Sequence, residues 1–153
     1  MKTLLLHGKP VSEKLRSDLK SRVIELSSSG IIPKLAAILV GDDPASTVYV
    51  RNKGRVFNEL DCKSHTYNYP ANINEQNLLD IIDELNHDLD VHGILVQLPL
   101  PFGIDAEKIL HSVSPKKDVD GFHPYNLGSL LEGKPKFIPC TPNGVLEILK
   151  FYK

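Results

Sequence analysis

Apolar residues along the chain recur either at helical spacing or in short continuous runs, and the two patterns alternate. The opening leucines end at His7, so this run is too short for a signal peptide or a membrane span and predicts a first short strand. A helical periodicity follows and stops near Ser28, where Gly30 can close the helix. Its apolar positions are Val11, Leu15, Leu19, Val23 and Leu26.

Three later segments have the character of strands. PKLAAILVG and VHGILVQLPLP contain continuous apolar runs bounded by glycine or proline, which predicts strands buried on both faces. CKSHTYNYP alternates polar and apolar residues, and this pattern predicts a strand near the edge of a sheet.

Helix starts lie between and after these strands, because capping side chains or prolines precede each apolar stripe. They are Asp43 with Pro44, Asn74, Asp105, and Thr141 with Pro142. The stripe that follows Asn74 is Leu78, Ile81, Ile82 and Leu85, and the buried candidates of the last helix are Val145, Leu146, Ile148 and Leu149. Strands that alternate with helices predict an α/β fold, a three-layer open, mostly parallel sheet with helices on both faces.

Composition narrows the class of protein. The 153 residues suit one domain, residues 1–153, and 41% of them are apolar, enough for a proper core. A net charge of -1 with scattered basic residues argues against a nucleic-acid partner. Cys62 and Cys140 form no C-x-x-C pair, so we expect two reduced thiols in a cytoplasmic protein that contacts no membrane.

Candidate catalytic and binding residues lie at the carboxyl edge of the predicted sheet, where ligands bind in open parallel sheets. Tyr49 and Lys53 share one helical face, Gln97 ends an apolar strand, and DVDG places Asp118 and Asp120 in a tight turn. Taken singly, each has an ordinary explanation: a lone lysine on a helix is a solvated surface group roughly nine times in ten. Their joint placement at one edge favours a site.

Four segments, ASTVYVRNK, GILVQLPLP, PKKDVDGFHPYNLG and FIPCTPNG, occur in order. Together they resemble the catalytic half of bifunctional methylenetetrahydrofolate dehydrogenase/methenyltetrahydrofolate cyclohydrolase, the FolD type. The resemblance implies that Lys53 is the principal catalytic residue, oriented by Gln97, and that Asp120 grips the pterin. It also implies that the folate contacts are Tyr49, Leu98 and Pro99, with Ser46 supporting the polar network. In one departure from the family pattern, Asp61 stands where a helix-ending glycine is common.

The implied chemistry requires a neutral amine. Water must attack the methenyl carbon of a cationic substrate, and a lysine amine with a reference pKa of about 10.4 can move protons there only when uncharged. Partial burial and the cationic substrate both disfavour the ammonium form. A neutral amide at position 97 can orient the amine without restoring its charge.

The family's dehydrogenase step uses NADP, or NAD in some members, bound on a Rossmann domain. The sequence contains no G-x-G pair, so we expect that domain to be absent and this chain alone to perform no dehydrogenase step. Tetrahydrofolate derivatives are the implied partners, and a homodimer and a monomer both stay open. Three functions compete: the folate-converting catalytic domain, a folate-binding module without turnover, and an interaction module that has lost the activity.

Overall fold

The structure is a computed structural model that describes residues 3–153, and within them six helices surround one three-stranded parallel sheet. The strand order is β2-β1-β3, so the most apolar strand is central. The elements are α1 (Gly8–Ser28), β1 (Lys34–Val40), α2 (Pro44–Glu59), β2 (Lys63–Tyr69), α3 (Glu75–His87), β3 (Gly93–Val96), α4 (Ala106–Ser112), α5 (Pro124–Leu131) and α6 (Cys140–Phe151).

Alternate residues of β1 face two separate apolar layers, because successive side chains of a strand point to opposite faces. Ile38 and its neighbours on one face pack against α3 and α4, whereas Leu39 and its neighbours on the other face pack against Val50 of α2. The predicted three-layer α/β architecture with helices on both faces of a parallel sheet is therefore confirmed. The alternating strand β2 lies at an edge, as its pattern predicts.

Three of the four predicted helix starts, at Asp43, Asn74 and Asp105, are confirmed in the backbone geometry. The Asp43 carboxylate accepts a hydrogen bond of 2.7 Å from the Ser46 amide, and Asn74 accepts one of 2.8 Å from Gln76. Asp105 accepts bonds of 3.0 and 3.1 Å from the first turn of α4. Asp61, in the place of a helix-ending glycine, has the left-handed φ of 59° that glycine usually supplies at that point.

Two expectations are wrong. Residues 3–7 form no strand, and Met1 and Lys2 lie outside the described residues. The backbone N–H and C=O of His7 instead pair with the Tyr152 hydroxyl, each at 3.1 Å, so this segment joins the end of α6 and not a sheet edge.

The second error concerns α6. The helix begins at Cys140, before the predicted start at Thr141 and Pro142, without a side-chain cap, and none of its residues is fully buried. Val145 is 55% exposed, Leu146 50% and Leu149 47%, and the helix packs beside α1. The short helix α5 was not predicted, since its leucines follow a long polar segment. Among residues 3–153, no helix is long and apolar enough to cross a membrane.

Candidate active site

A cleft of about 270 Å³ lies at the carboxyl ends of β1 and β3. The β1 strand leads into α2, which carries Tyr49 and Lys53, and β3 leads directly into Gln97. Asp120 and the first turn of α6 form the opposite wall. The structure therefore brings together the groups that the sequence placed at this edge.

Helix α2 presents Tyr49 and Lys53 to the cleft because it buries Val50 against the sheet. One helical turn separates the two cleft residues, and the Lys53 Nζ lies 4.5 Å from the centroid of the Tyr49 ring. This is a cation–π distance, so the ring face helps to hold the amine in place. The Tyr49 residue remains 56% exposed, which leaves much of its ring accessible to a ligand.

Asp120 faces Lys53 across the cleft. Its Oδ1 lies 3.9 Å from the Lys53 Nζ, which is the outer limit of an ion pair. Burial raises the pKa of Asp120, the Lys53 charge partly opposes that rise, and the neighbouring Asp118 charge adds to it. Desolvation exceeds the attraction of Lys53 because the pair is long and part of it is open to water.

Asp120 is held in the DVDG turn by the close packing of the two residues beside it, Val119 and Gly121. Val119 packs on β3 at Gly93, where a Cβ would come within 2.5 Å of the valine Cγ1. Gly121 has a φ of +71°, and a Cβ there would meet the backbone of Pro139 at 3.0 Å. Glycine at these two positions allows the turn to pack closely against both β3 and the segment leading into α6.

Gln97 and Leu98 line the same cleft. The Gln97 Nε2 donates a hydrogen bond of 2.7 Å to the Leu98 carbonyl, and not to Lys53. The implied orienting contact between Gln97 and Lys53 is therefore not formed in the free chain and stays a prediction for a bound state.

Ser46 and Pro99 do not line the cleft. Ser46 is buried at the start of α2, where its backbone N–H donates to Asp43. Pro99 is exposed just beyond Leu98. Their implied parts in folate binding also remain predictions.

Sequence reasoning gave no role to Phe122, Cys140 and Thr141, which complete the cleft wall. The Cys140 thiol is free, and partial burial together with the Asp120 charge raises its pKa. The motif FIPCTPNG carried part of the resemblance, so it was the one available signal for Cys140 and Thr141. No cluster of three or more His, Cys, Asp or Glu residues within the described chain could hold a metal ion.

Solved structures share this fold closely. The bifunctional enzyme FolD, a methylenetetrahydrofolate dehydrogenase/cyclohydrolase from Campylobacter jejuni, superimposes with a TM-score of 0.95 at 50% identity over 97% of this chain and 53% of that one. The Trypanosoma brucei enzyme, complexed with NADP cofactor and inhibitor, gives a TM-score of 0.93 at 31% identity over 99% of this chain and 52% of that one.

Sequence comparison gives the same relationship. The bifunctional protein FolD 2 of Geobacter sulfurreducens is 55% identical over 95% of this chain and 51% of its own length. The chain thus spans about half the length of the curated relatives it matches. The family described as tetrahydrofolate dehydrogenase/cyclohydrolase, catalytic domain, matches residues 6–120, which include α2, β3 and Asp120. The chain therefore belongs to the tetrahydrofolate dehydrogenase/cyclohydrolase family.

Proposed function

We propose that residues 1–153 form a folate-binding catalytic domain that hydrolyses 5,10-methenyltetrahydrofolate to 10-formyltetrahydrofolate. The observation that carries this proposal is the placement of the Lys53 amine between the Tyr49 ring and the Asp120 carboxylate, in a cleft at the carboxyl edge of the sheet. This arrangement combines a proton-transfer group, an aromatic platform and an anionic anchor within the reach of one small molecule.

Substrate binding follows from the cleft walls. The Asp120 carboxylate can accept two parallel hydrogen bonds from the amino-pyrimidine edge of a pterin, which fixes the orientation of the ring. The exposed Tyr49 ring can stack on the flat part of the folate, and Leu98 and Phe122 supply apolar contact. The methenyl carbon would then lie near Lys53.

Lys53 would act as the proton-transfer group once substrate is bound. In the free chain the Lys53 Nζ lies 3.9 Å from Oδ1 of the Asp120 carboxylate. A pterin bound to Asp120 would form hydrogen bonds with the carboxylate in place of Lys53. The positive charge of the methenyl group would also repel a charged Lys53 ammonium. Both effects favour a neutral amine, which can accept a proton from the water that attacks the methenyl carbon. The amine can then pass this proton to N5 as the bond between N5 and that carbon breaks, and the proton of the added hydroxyl leaves to solvent. Gln97, which already borders the cleft, could then turn its amide from Leu98 to Lys53.

The described residues do not fit a nicotinamide dinucleotide. Helices α2, α3 and α4 follow the loops where a pyrophosphate would bind, but Asp43, Asn74 and Asp105 already accept from one or two backbone N–H groups in the first turn of each helix. The two aspartates would also repel a phosphate. NADP belongs to the dehydrogenase step that the names of relatives describe, and we propose no such step for this chain alone.

A second candidate is a folate-binding module without turnover. Tyr49 is half exposed and the Lys53 side chain is 27% exposed, so the cleft of the isolated chain is open to water. Water access weakens the electrostatic effects that would favour a neutral amine. The Asp120 anchor would still bind the pterin in this case.

The deciding experiment follows the near-ultraviolet absorbance of 5,10-methenyltetrahydrofolate mixed with the chain. We expect the chain to accelerate the loss of absorbance, and we expect the rate to fall at least about 100-fold in Lys53→Met. Lys20→Met, which changes an exposed lysine of α1, should keep the wild-type rate. Saturable binding without hydrolysis would favour the module without turnover. No interaction at all would favour the third candidate, an interaction role.

A further inference from the structure

A buried polar pair lies directly behind the turn that carries Asp120. Asp118 is 6% exposed and Asn126 is fully buried, whereas almost all of the surrounding core is apolar. Neither side chain lines the cleft. Buried polar groups require hydrogen bonds to offset the loss of water, so the partners of this pair indicate what it holds.

The Asp118 carboxylate accepts hydrogen bonds from the backbone N–H groups of the turn. Its Oδ1 accepts from the amides of Gly121 at 3.1 Å and Phe122 at 3.3 Å, and its Oδ2 accepts from the amide of His123 at 2.9 Å. The Asn126 Nδ2 donates to the same Oδ2 at 2.8 Å. Every backbone N–H from Gly121 to His123 thus points inward to one side chain.

Asn126 completes this cluster from α5. Its Nδ2 also donates to the Pro115 carbonyl at 3.0 Å, so one amide bridges the chain before the turn and the carboxylate inside it. Its Oδ1 has no hydrogen-bond partner among the described residues. Reversing the amide would place that oxygen against the Pro115 and Asp118 oxygens, so the observed orientation is the one that the neighbours permit.

The backbone of Asp118 is anchored as firmly as its side chain. Ile94 of β3 forms an isolated parallel bridge with Asp118, and its amide donates to the Lys117 carbonyl at 2.8 Å. The turn therefore begins at a fixed point on the sheet. Asp120 lies between this fixed point and the amides of residues 121–123, and its side chain faces the cleft and Lys53.

We propose that Asp118 is a positioning residue, which together with Asn126 fixes the turn of residues 118–123 so that Asp120 meets the pterin opposite Lys53. This inference rests on the proposed folate site. The bonds from the amides of residues 121–123 to the Asp118 carboxylate support it, because they hold the backbone directly after Asp120.

The test is a double-mutant cycle on tetrahydrofolate binding, measured by calorimetry with the full chain. Asp118→Asn preserves the shape but points an amide N–H₂ at backbone donors. We expect it to weaken binding about tenfold when Asp120 is present and less than about twofold in an Asp120→Ala background. A merely structural role would lower stability in both backgrounds without this dependence on Asp120.

Amide hydrogen exchange of the ligand-free chain gives a readout independent of folate. In Asp118→Asn we expect at least about tenfold faster exchange at Gly121, Phe122 and His123, with the amides of β1 unchanged. The matched control is Asp105→Asn, a capping aspartate at the start of α4 that does not line the cleft. It should change neither folate binding nor exchange in the turn.

Should Asp118→Asn fail to fold, Asn126→Ser removes the Nδ2 group, which donates to Pro115 and to Asp118, and keeps the carboxylate. It should weaken binding about threefold, again only when Asp120 is present. Equal losses in both backgrounds, or no loss, would overturn the proposal. If the wild-type chain binds no tetrahydrofolate, the proposed function is wrong. The positioning role is tested separately, because unchanged amide exchange of the turn in Asp118→Asn would overturn it without any folate measurement.

Discussion

Helices α3 and α6 have similar apolar stripes but opposite surroundings. In α3, Leu78 and Ile82 are fully buried, because the stripe lies on the face of the sheet formed by the even-numbered residues of β1. In α6, Leu146 is 50% exposed, and the helix packs beside α1 and not into either apolar layer of the sheet. The spacing of apolar residues therefore identifies which face of a helix can be buried, but tertiary packing decides which element covers that face.

The two helices also differ in what they contribute. The α3 helix supplies core packing and does not line the cleft, whereas the first turn of α6 forms part of the cleft wall through Cys140, Thr141 and Pro142. Stability and the candidate site are thus carried by different layers of the same fold. Mutations in the two helices should separate the two properties.

The largest effect is expected from Ile82→Ala. Removing a fully buried isoleucine leaves a cavity between α3 and the sheet, so the free energy of unfolding should fall by about 2–5 kcal/mol. Urea unfolding monitored by circular dichroism measures this loss. The matched control is Ile24→Ala in α1, a residue 59% exposed, which should cost far less. Equal losses would contradict the described packing of α3.

A smaller loss is expected at the start of α3. Asn74→Ala removes the side chain that accepts the Gln76 amide at 2.8 Å, and the loss of such a cap typically costs about 1 kcal/mol. The same urea measurement applies. Asn77→Ala, within the exposed face of the same helix, serves as the control and should not destabilise the chain. A neutral Asn74→Ala would show that the cap does not hold this helix.

Asp120→Asn should have a still smaller effect on stability, in the opposite direction. Burial raises the Asp120 pKa above its ordinary value of 3.8, so the folded state holds this proton at a pH where the unfolded chain has lost it. The resulting stability is present below about pH 4 and is lost as the pH rises through the folded pKa. Asp120→Asn should therefore be more stable than wild type at pH 7, and this gain should vanish near pH 4.

Thermal unfolding at the two pH values measures that change. Asp18→Asn, at an exposed position of α1, is the control and should show no such gain. A destabilised Asp120→Asn at pH 7 would mean that the Lys53 attraction outweighs desolvation, contrary to the geometry of the 3.9 Å pair.

The smallest effect is expected from Leu146→Ala in α6. Because half of this residue is exposed, the free energy of unfolding should change by no more than about 0.5 kcal/mol. Leu85→Ala, the buried leucine of α3, is the direct comparison and should cost several times more. A loss at Leu146 as large as that at Leu85 would show that the α6 face is covered in solution.

Sequence reasoning succeeded where local chemistry decides the structure. The caps at Asp43, Asn74 and Asp105 act within one turn of chain, and the apolar run of β1 can be buried only in the middle of a sheet. It failed where distant segments decide: the opening segment joins Tyr152 across almost the whole chain, and the exposure of α6 depends on its position beyond the sheet.

The candidate site shows the same division. The spacing of Tyr49 and Lys53 predicted that they share one helical face, and the distance of 4.5 Å from the Lys53 Nζ to the Tyr49 ring confirms it. No local pattern indicated that Gln97 would bond to Leu98, that Cys140 would line the cleft, or that Asp118 and Asn126 would pair behind the turn. These contacts join residues whose proximity is created by the fold.

We propose that folate binds in the cleft between α2, β3 and the DVDG turn. Amide chemical-shift mapping during a titration with tetrahydrofolate locates the binding surface. We predict that the shifts cluster at Tyr49, Lys53, Gln97, Leu98 and Asp120, and that those at Arg51, Arg55 and Thr66 on the outer surface of α2 and β2 change little. Shifts confined to that outer surface, or no saturable shifts, would contradict the account.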